Sequence, residues 1–479
     1  MQQITQHQNY IRMAEKVTET RAAIAGEFFV KELREALLPH MSDIDTTSES
    51  AKQRYEIYLA NAEYDNYPGK TMHSLVGRMK FDASNVGLPD RISYLEESAD
   101  GDGLSIRGMM QDCAKEVLQV KWCVFVADYQ GLSDVAIDEL SLADARELKP
   151  RASIKAYTRE NVVNWHYSRI NGVMQLSYIM LRELGSEFSA VTGERKAIES
   201  YLVLALDDDG AYYQQKIVKS AGGYSVGEQS YMTVAGSALN WLPVIIASDE
   251  EIRAGELPIE LGYLSPICDS ALYRYRMSAE YKETIRNLPP TTYVKGATTM
   301  DWENFKEANG RDYLLTGSGS VNILFGDMDV DVKGANTAIE PYERFFERNT
   351  EQAKQLGAVM QGQTVAATAT EAEISAAEQN AQLQMLAQNI ESAFKRLCLY
   401  CLMFEGALSP DAIEQGMDLV TIAIPRDFAK SKLTPEETSQ IAALFIQGIV
   451  TREVAIDMLI KGGIIDADAE LLLSETNEI

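Results

Sequence analysis

Residues with reactive side chains are few and scattered. Cys398-Leu399-Tyr400-Cys401 has the spacing of a redox or zinc pair, yet it lies inside a long helical repeat with no strand before it, so two small apolar residues on a helix face account for it. Five cysteines, an odd number in 479 residues, argue against a disulfide framework and for a reducing compartment. Asp100-Gly101-Asp102-Gly103 opens like a calcium loop but lacks the later ligands and closing Glu of an EF-hand; it reads as the lead into a helix. Asp207-Asp208-Asp209-Gly210 has no further ligand nearby in sequence and reads as a solvated hairpin tip. His7, His40, His73 and His166 offer no pairing, and His166 alternates with Trp165 and Tyr167 as a structural strand residue would. The GxxxxGK[ST] and HExxH patterns do not occur. No catalytic residue, metal site or cofactor is expected.

The elements around these residues are organised by the stretch from Asn336 to Phe404. Ile339, Tyr342, Phe346, Ala353 and Leu356 recur at helical spacing, with Glu340, Glu343, Arg344 and Glu347 on the other sides. A second helical block opens at Thr370-Glu371-Ala372-Glu373, which has the form of a capping box. It continues through Leu383, Leu386, Ile390, Phe394, Leu397, Cys401 and Phe404, without Gly or Pro before Gly406. That predicts a rod on the order of 50 Å long. Between the blocks, Gln355 to Thr370 holds no ionisable residue, although the chain carries Lys+Arg 44 against Asp+Glu 71, a net charge of −27. Gly362 interrupts the helical pattern there, so the stretch is a neutral loop, suited to approaching a polyanion without gripping or repelling it. No Lys/Arg cluster gathers positive charge elsewhere, so the surface at large should repel DNA and anionic membranes. The mixed-charge N-terminus is unlike a signal peptide, and no apolar run approaches the roughly 20 residues that span a bilayer, so use in the soluble phase is expected.

Along the rest of the chain, residues 9 to 40, 50 to 64 and 71 onward read as helices, with a turn at Pro68-Gly69, and a helix from Ser105 to Val120 precedes a buried strand at 123–126. From Arg151 to Ala247 the period becomes two. Asn161–Arg169 and Val173–Arg182 flank the hairpin signal Asn171-Gly172; Tyr201–Leu206 and Tyr212–Val218 flank the Asp tip; Val244–Ile246 closes an antiparallel unit. A helix runs from Ser265-Pro266 to Leu288 and ends at Pro289-Pro290. Short strands at 291–294, 313–315 and 321–324 surround a small helix near 300–309, and capped helices follow Thr434-Pro435 and Thr451. The fold class is α+β.

This order resembles that of tailed-bacteriophage portal proteins over nearly the whole chain. Tyr58-Leu59 with Ala62, Tyr64, Thr71, Leu75 and Gly77 resembles the family's early YLxxAxY segment. Trp165, Arg169, Asn171-Gly172, Leu176 and Arg182-Glu183 resemble its central hairpin; Leu206-Asp207 with Gly210 and Tyr212 follows; and Thr370-Glu371-Ala372 stands where such proteins carry TEA. Lys121-Trp122 departs from the small residues expected before the buried strand. The resemblance implies a portal-type fold: wing (1–258), stem helices (259–288 and 327–354), clip (289–326), tunnel loop (355–370), long helix (371–405) and crown (406–479). It implies a homo-oligomeric ring of about twelve chains in the virion, at one capsid vertex, assembled in the host bacterial cytoplasm. It also implies a channel through which double-stranded DNA passes without sequence specificity during packaging, retention and ejection. The major capsid protein, large terminase and neck or adaptor proteins are the expected partners, with no membrane. Gln361, Gly362, Gln363, Thr364 and Val365 are the expected DNA-facing residues. The rivals are another oligomeric virion adaptor subunit and a soluble enzyme.

Overall fold

A computed structural model describes residues 4–40, 48–130, 151–220, 223–234, 236–287, 291–314, 322–333, 339–358, 369–426, 435–447, 450–451, 454 and 459. Helix α1 (Gln8–Ala25) stops at Gly26, whose backbone leaves the helical region (φ 115°), and α2 (Glu27–Glu32) follows, so the helix expected over 9–40 is broken there. Ser48 caps α3 (Glu49–Asn61) by accepting from Ala51 N–H at 3.3 Å. The turn expected at Pro68-Gly69 is instead the start of α4 (Tyr67–Arg78). Pro68 sits in the first turn, where its missing N–H is not needed, and Asn66 accepts from Gly69 N–H at 2.9 Å.

Strand β1 (Val86–Gly87) precedes α5 (Ile106–Val120), capped by Ser105. Asp100 Oδ1 accepts from the Asp102 and Leu104 amides (2.8 and 3.0 Å), so the acidic loop is the lead into that helix. Then come β2 (Trp122–Gln130), β3 (Arg151–Tyr157), β4 (Val162–Ile170), β5 (Val173–Phe188), β6 (Arg195–Leu206), β7 (Tyr212–Ser220), β8 (Gly223–Tyr231), β9 (Thr233–Val234), β10 (Ser237–Ala238) and β11 (Val244–Ser248). The remaining elements are α6 (Ser265–Asn287), β12 (Thr291–Lys295), α7 (Thr299–Asn309), β13 (Asp329–Lys333), α8 (Glu340–Gln355), α9 (Ala369–Phe404), β14 (Thr421–Ile422) and α10 (Pro435–Ile446). Residues 313–314 and 322–324 are irregular; β12 pairs with β13, whose Asp-Val-Asp-Val-Lys alternation was readable but passed over. Helix α9 already contains Thr370, which is therefore inside the first turn and not its N-cap. Val454 N–H donates to Thr451 Oγ1 (3.4 Å), the capping contact expected at Thr451.

The chain divides into two compact units, residues 1–17, 71–265 and 361–479 in one and 18–70 and 266–360 in the other. In the first, β4-β5-β6-β7-β8 is an antiparallel meander. Its first turn has φ of 51° at Asn171 and 84° at Gly172, the left-handed pair that a tight hairpin requires. Strand β11 does not close this sheet; it pairs with β2 in a second one, ordered β11-β2-β3. Burial separates the two, because Cys123 to Ala127 on β2 are buried without interruption, whereas β8 is largely exposed. Helices α5 and α9 pack on the second sheet, with Phe394 edge-on to Phe125 at 5.0 Å. Leu383, Leu386, Ile390, Phe394, Leu397 and Cys401 are buried, as their spacing predicted. From Leu397 to Met403 every residue is buried, so the end of α9 is enclosed on all sides.

Lys121-Trp122 makes its own packing solution. Lys121 ends α5 with φ 80°, and its Nζ meets Asp249 (2.9 Å) and Glu250 (3.1 Å). Trp122 is buried, donates to Pro258 O (3.0 Å) and has the Arg159 guanidinium 5.0 Å above its ring. Arg159 is also buried and donates to the carbonyls of Val120, Pro258, Ile259 and Glu260 at 2.6–3.0 Å. Gly262 and Leu264 add N–H bonds to Gln119 O (3.1 Å) and Leu118 O (3.0 Å). Three carbonyls that a helix end leaves open are thereby satisfied. The approach is so close that a Cβ on Gly262 would lie 2.3 Å from Leu118 O.

In the second unit, α6 and α8 carry an aromatic ladder: Tyr273–Phe345 (5.0 Å), Tyr281–Tyr342 (5.7 Å) and Tyr281–Phe346 (5.5 Å). Tyr55 OH donates to Leu38 O (2.9 Å), Tyr64 OH to Ala23 O (2.5 Å) and Arg276 Nε to Leu37 O (2.7 Å), which fixes the N-terminal segments to each other and to α6. Strands β12 and β13 bracket α7, which Thr298 and Asp301 close with a reciprocal capping box.

Candidate functional site

The candidate site is the neutral stretch and the helices on either side of it. Gln361, Gly362, Gln363, Thr364 and Val365 lie outside the described residues. What is described is how each flank ends. Helix α8 stops at Gly357 (φ 84°): Gly357 N–H donates to Lys354 O (2.8 Å) and Ala358 N–H to Ala353 O (3.0 Å). This left-handed cap satisfies carbonyls that would otherwise face solvent, so the chain leaves the helix by a defined turn. On the far side, α9 is helical from Ala369.

Electrostatics of the α6–α8 pair differ from those of the whole chain. The two helices hold seven Lys/Arg and seven Asp/Glu, which cancel, against −27 overall. Most of the cations are already engaged. Arg274 donates to Phe346 O and Thr350 Oγ1, both at 3.2 Å, and lies 5.0 Å from the Phe346 ring. Arg276 is held by Leu37 O, Lys282 by Glu63, Arg344 by Glu340 (2.5 Å) and Lys354 by Glu351 (2.8 Å). A guanidinium or ammonium with a partner in place offers less to a passing phosphate than a solvated one.

Sequence reading missed the polar seam beneath this surface. Asn349 is buried and donates through Nδ2 to Ser270 O (3.3 Å) and Ser270 Oγ (3.0 Å); Tyr67 OH also donates to Ser270 Oγ (3.0 Å). Ser278 Oγ accepts from Glu63 N–H at 2.9 Å. The signal was present: Tyr342, Phe346, Asn349, Ala353 and Leu356 step by four, three, four and three, so Asn349 holds a seam position among apolar residues.

The other sequence-marked residues fall outside any reactive arrangement. Cys398 and Cys401 are fully buried on α9, and burial pushes both thiols up. Asp207 Oδ1 accepts from the Asp209 and Ala211 amides (3.0 and 2.8 Å), which makes the triple-Asp segment a self-capped tip. His166 is exposed, and His7, not His166, stacks on Trp165 at 3.9 Å; burial lowers the His7 pKa. Among the described residues no three His, Cys, Asp or Glu side chains are placed to hold a metal ion, and no helix is long and apolar enough to cross a membrane.

A family model described as a domain of unknown function (DUF4055), a phage-associated domain, matches residues 266–404. The matched segment runs from the second residue of α6 to the last of α9, covering the helix pair, the β12–β13 insert and the neutral stretch. No curated protein matches the chain.

Proposed function

We propose that this chain is the subunit of a phage portal: a ring of about twelve copies at one capsid vertex through which double-stranded DNA is packaged, retained and ejected. The observation that carries the reading is the order within one segment. Two paired helices hold a small insert on a β pair, an uncharged stretch follows, and a 36-residue helix anchored in a sheet comes next. The phage-associated match over 266–404 spans that same segment and supports the phage setting. In this reading α6 and α8 are the stem, the insert is the clip that meets the large terminase and then neck or adaptor proteins, and the chain ends are wing and crown. The wing borders the major capsid protein. Gln361, Gly362, Gln363, Thr364 and Val365 ring the narrowest point, where absence of charge lets DNA slide. The subunit performs no catalysis; a separate motor supplies the work.

The test is the mass of the purified chain in solution at micromolar concentration, with electron micrographs of the same sample. Rings of about twelve chains are expected. Single chains would overturn the portal reading, and a closed assembly without a central channel would move it to another virion adaptor. Within a ring, Gln363→Lys adds one cation per copy at the constriction, and packaging should slow most at low salt, while Gln363→Ala stays close to the unchanged protein.

A further inference from the structure

We propose that His7 is an acid-released latch: with its ring neutral it pins residues 4–7 to the β4–β8 meander, and protonation frees that segment from the apolar cluster beneath it. Every contact involved lies within one chain and one compact unit, so the proposal stands apart from the ring reading. Two hydrogen bonds tie the segment to β4. Asn164 Nδ2 donates to Thr5 O (2.9 Å), and His7 N–H donates to Val163 O (3.0 Å). Ile4 packs on the buried cluster of Val163, Met180, Tyr201, Val203 and Ala205. So few contacts make a segment that opens locally, without the sheet having to unfold.

The imidazole is what joins this segment to the helix that follows. His7 stands at the N-cap of α1: its carbonyl accepts from Ile11 N–H (3.2 Å), and its ring Nδ1 accepts from Asn9 N–H (3.2 Å). A ring nitrogen that accepts carries no proton, so His7 is held neutral with its proton on Nε2. Ser, Thr, Asp and Asn usually fill this position, and none of them loses its acceptor oxygen near neutral pH. His does. Once protonated, Nδ1 becomes a donor facing the Asn9 N–H, and the new cation sits at the positive end of an 18-residue helix. The other face of the latch is Trp165, which is buried, stacks on the His7 ring at 3.9 Å and meets Trp122 edge-on at 6.1 Å.

Stacking on indole favours a cation, so the direction depends on what opposes it. Burial opposes it and lowers the His7 pKa from 6.5. The charged or titrating groups on the elements around the ring are Arg12 and Glu15 in the first two turns of α1, His166 and Arg169 on β4, and Arg159 beyond Trp122. Three of these are fixed cations and one is a carboxylate, a balance that does not invite another positive charge. In the freed segment the ring titrates near 6.5. Between that value and the lower one of the held ring, the freed state binds the proton and the held state does not. The ratio of held to freed therefore falls as pH drops below 6.5, by at most tenfold per pH unit, and is constant above it.

Hydrogen exchange of the full chain, read by mass spectrometry on peptides covering residues 7–11 and divided by the rate of the free peptide at each pH, tests this. Protection should be several-fold lower at pH 5 than at pH 7.5, while the β5 and β6 amides keep theirs. His7→Asn keeps an acceptor for the Asn9 N–H and cannot titrate, so its protection should be independent of pH. His166→Asn should respond to acid as the unchanged chain does. In Ile4→Cys the added thiol should react faster with a dithiodipyridine at pH 5 than at pH 7.5, relative to a free thiol peptide, because the five native cysteines are buried. Flat protection in the unchanged chain would overturn the latch, as would an equal fall in His7→Asn. Loss of the response in His166→Asn would move it to the neighbouring histidine, and loss of β5 and β6 protection at pH 5 would make the event an unfolding of the sheet; either result overturns the proposal.

Discussion

Helix α9 on its sheet and the α6–α8 pair bury their contacts in opposite ways. Around α9 the interior is apolar from Leu397 to Met403 and centres on Phe394 and Phe125. Between α6 and α8 the interior holds Ser270 and Asn349, joined by the Tyr67 hydroxyl. Apolar contacts are non-directional and set the stability of the first region. Hydrogen bonds between buried groups contribute little net free energy but are expensive to leave half made, so the second region fixes register more than it adds stability. In the proposed ring that division suits the roles: one part is an anchor, the other a helix pair that must keep its alignment.

The largest effect should come from cutting the apolar region. Phe394→Ala removes a fully buried ring and leaves a cavity beside Phe125, at a cost of about 3–5 kcal/mol read as a lowered urea midpoint. Arg159 sharpens the contrast, a buried cation in the first unit whose guanidinium meets four carbonyls and no carboxylate. Burial lowers its pKa to about 10, with Glu160 and Glu260 pulling the other way, so it stays charged at neutral pH. Arg159→Met should cost about 3 kcal/mol, because the carbonyls lose their donor together, and Arg159→Lys should recover only part, since one ammonium cannot reach all four. A loss under 1 kcal/mol would mean that the carbonyls find other donors.

The polar region should respond to the kind of replacement and not to its size alone. Asn349→Ala leaves Ser270 with one partner fewer and opens a small void, for a loss of about 2 kcal/mol. Asn349 Oδ1 is itself buried with no partner among the described residues. Asn349→Leu removes that unpaired acceptor and fills the space, so it should be near neutral or stabilising while loosening the register of α6 against α8. Paired urea midpoints, with cysteine cross-linking along α6 and α8 to report register, separate the two effects. Equal losses for Ala and Leu would assign Asn349 to stability and dissolve the contrast.

What was legible in the sequence follows the same line. Repeats of one kind of contact announce themselves: the α9 stripe, the hairpin at Asn171-Gly172 and the helix beginning at Ser105 were all readable from local spacing. Sheet membership was not, because Val244–Ser248 has the same pattern whether it pairs with β2 or extends the meander, and tertiary burial decides between them. Pro68-Gly69 misled because the same dipeptide suits a turn or a first helical turn, and the Asn66 cap settles which. The Ser270–Asn349 seam escaped for a different reason: a polar residue at a seam position looks like a break in the stripe until its partner on a distant helix is known.

The smallest expected effect lies in the alkaline limb of stability. Tyr67 is fully buried, and its phenol is pushed up to about 12, chiefly by burial, with the Ser270 hydrogen bond and the Arg274 charge opposing. An unfolded tyrosine ionises near 10, so between about 10 and 12 the unfolded chain has released this proton and the folded chain retains it. The unfolded state then binds fewer protons, and stability falls as pH rises through that window, whereas below 10 the group contributes no slope. Tyr55 and Tyr58 are also raised to about 12 by burial and add to the fall with the same sign. Tyr67→Phe removes one share: its cost relative to the unchanged protein should be present at pH 8, where the hydrogen bond to Ser270 is lost, and should shrink by on the order of 1 kcal/mol by pH 11. Unfolding midpoints of both proteins from pH 8 to 11.5 give that difference directly, and a gap that stays constant across the range would show that the Tyr67 proton is not held by the folded seam.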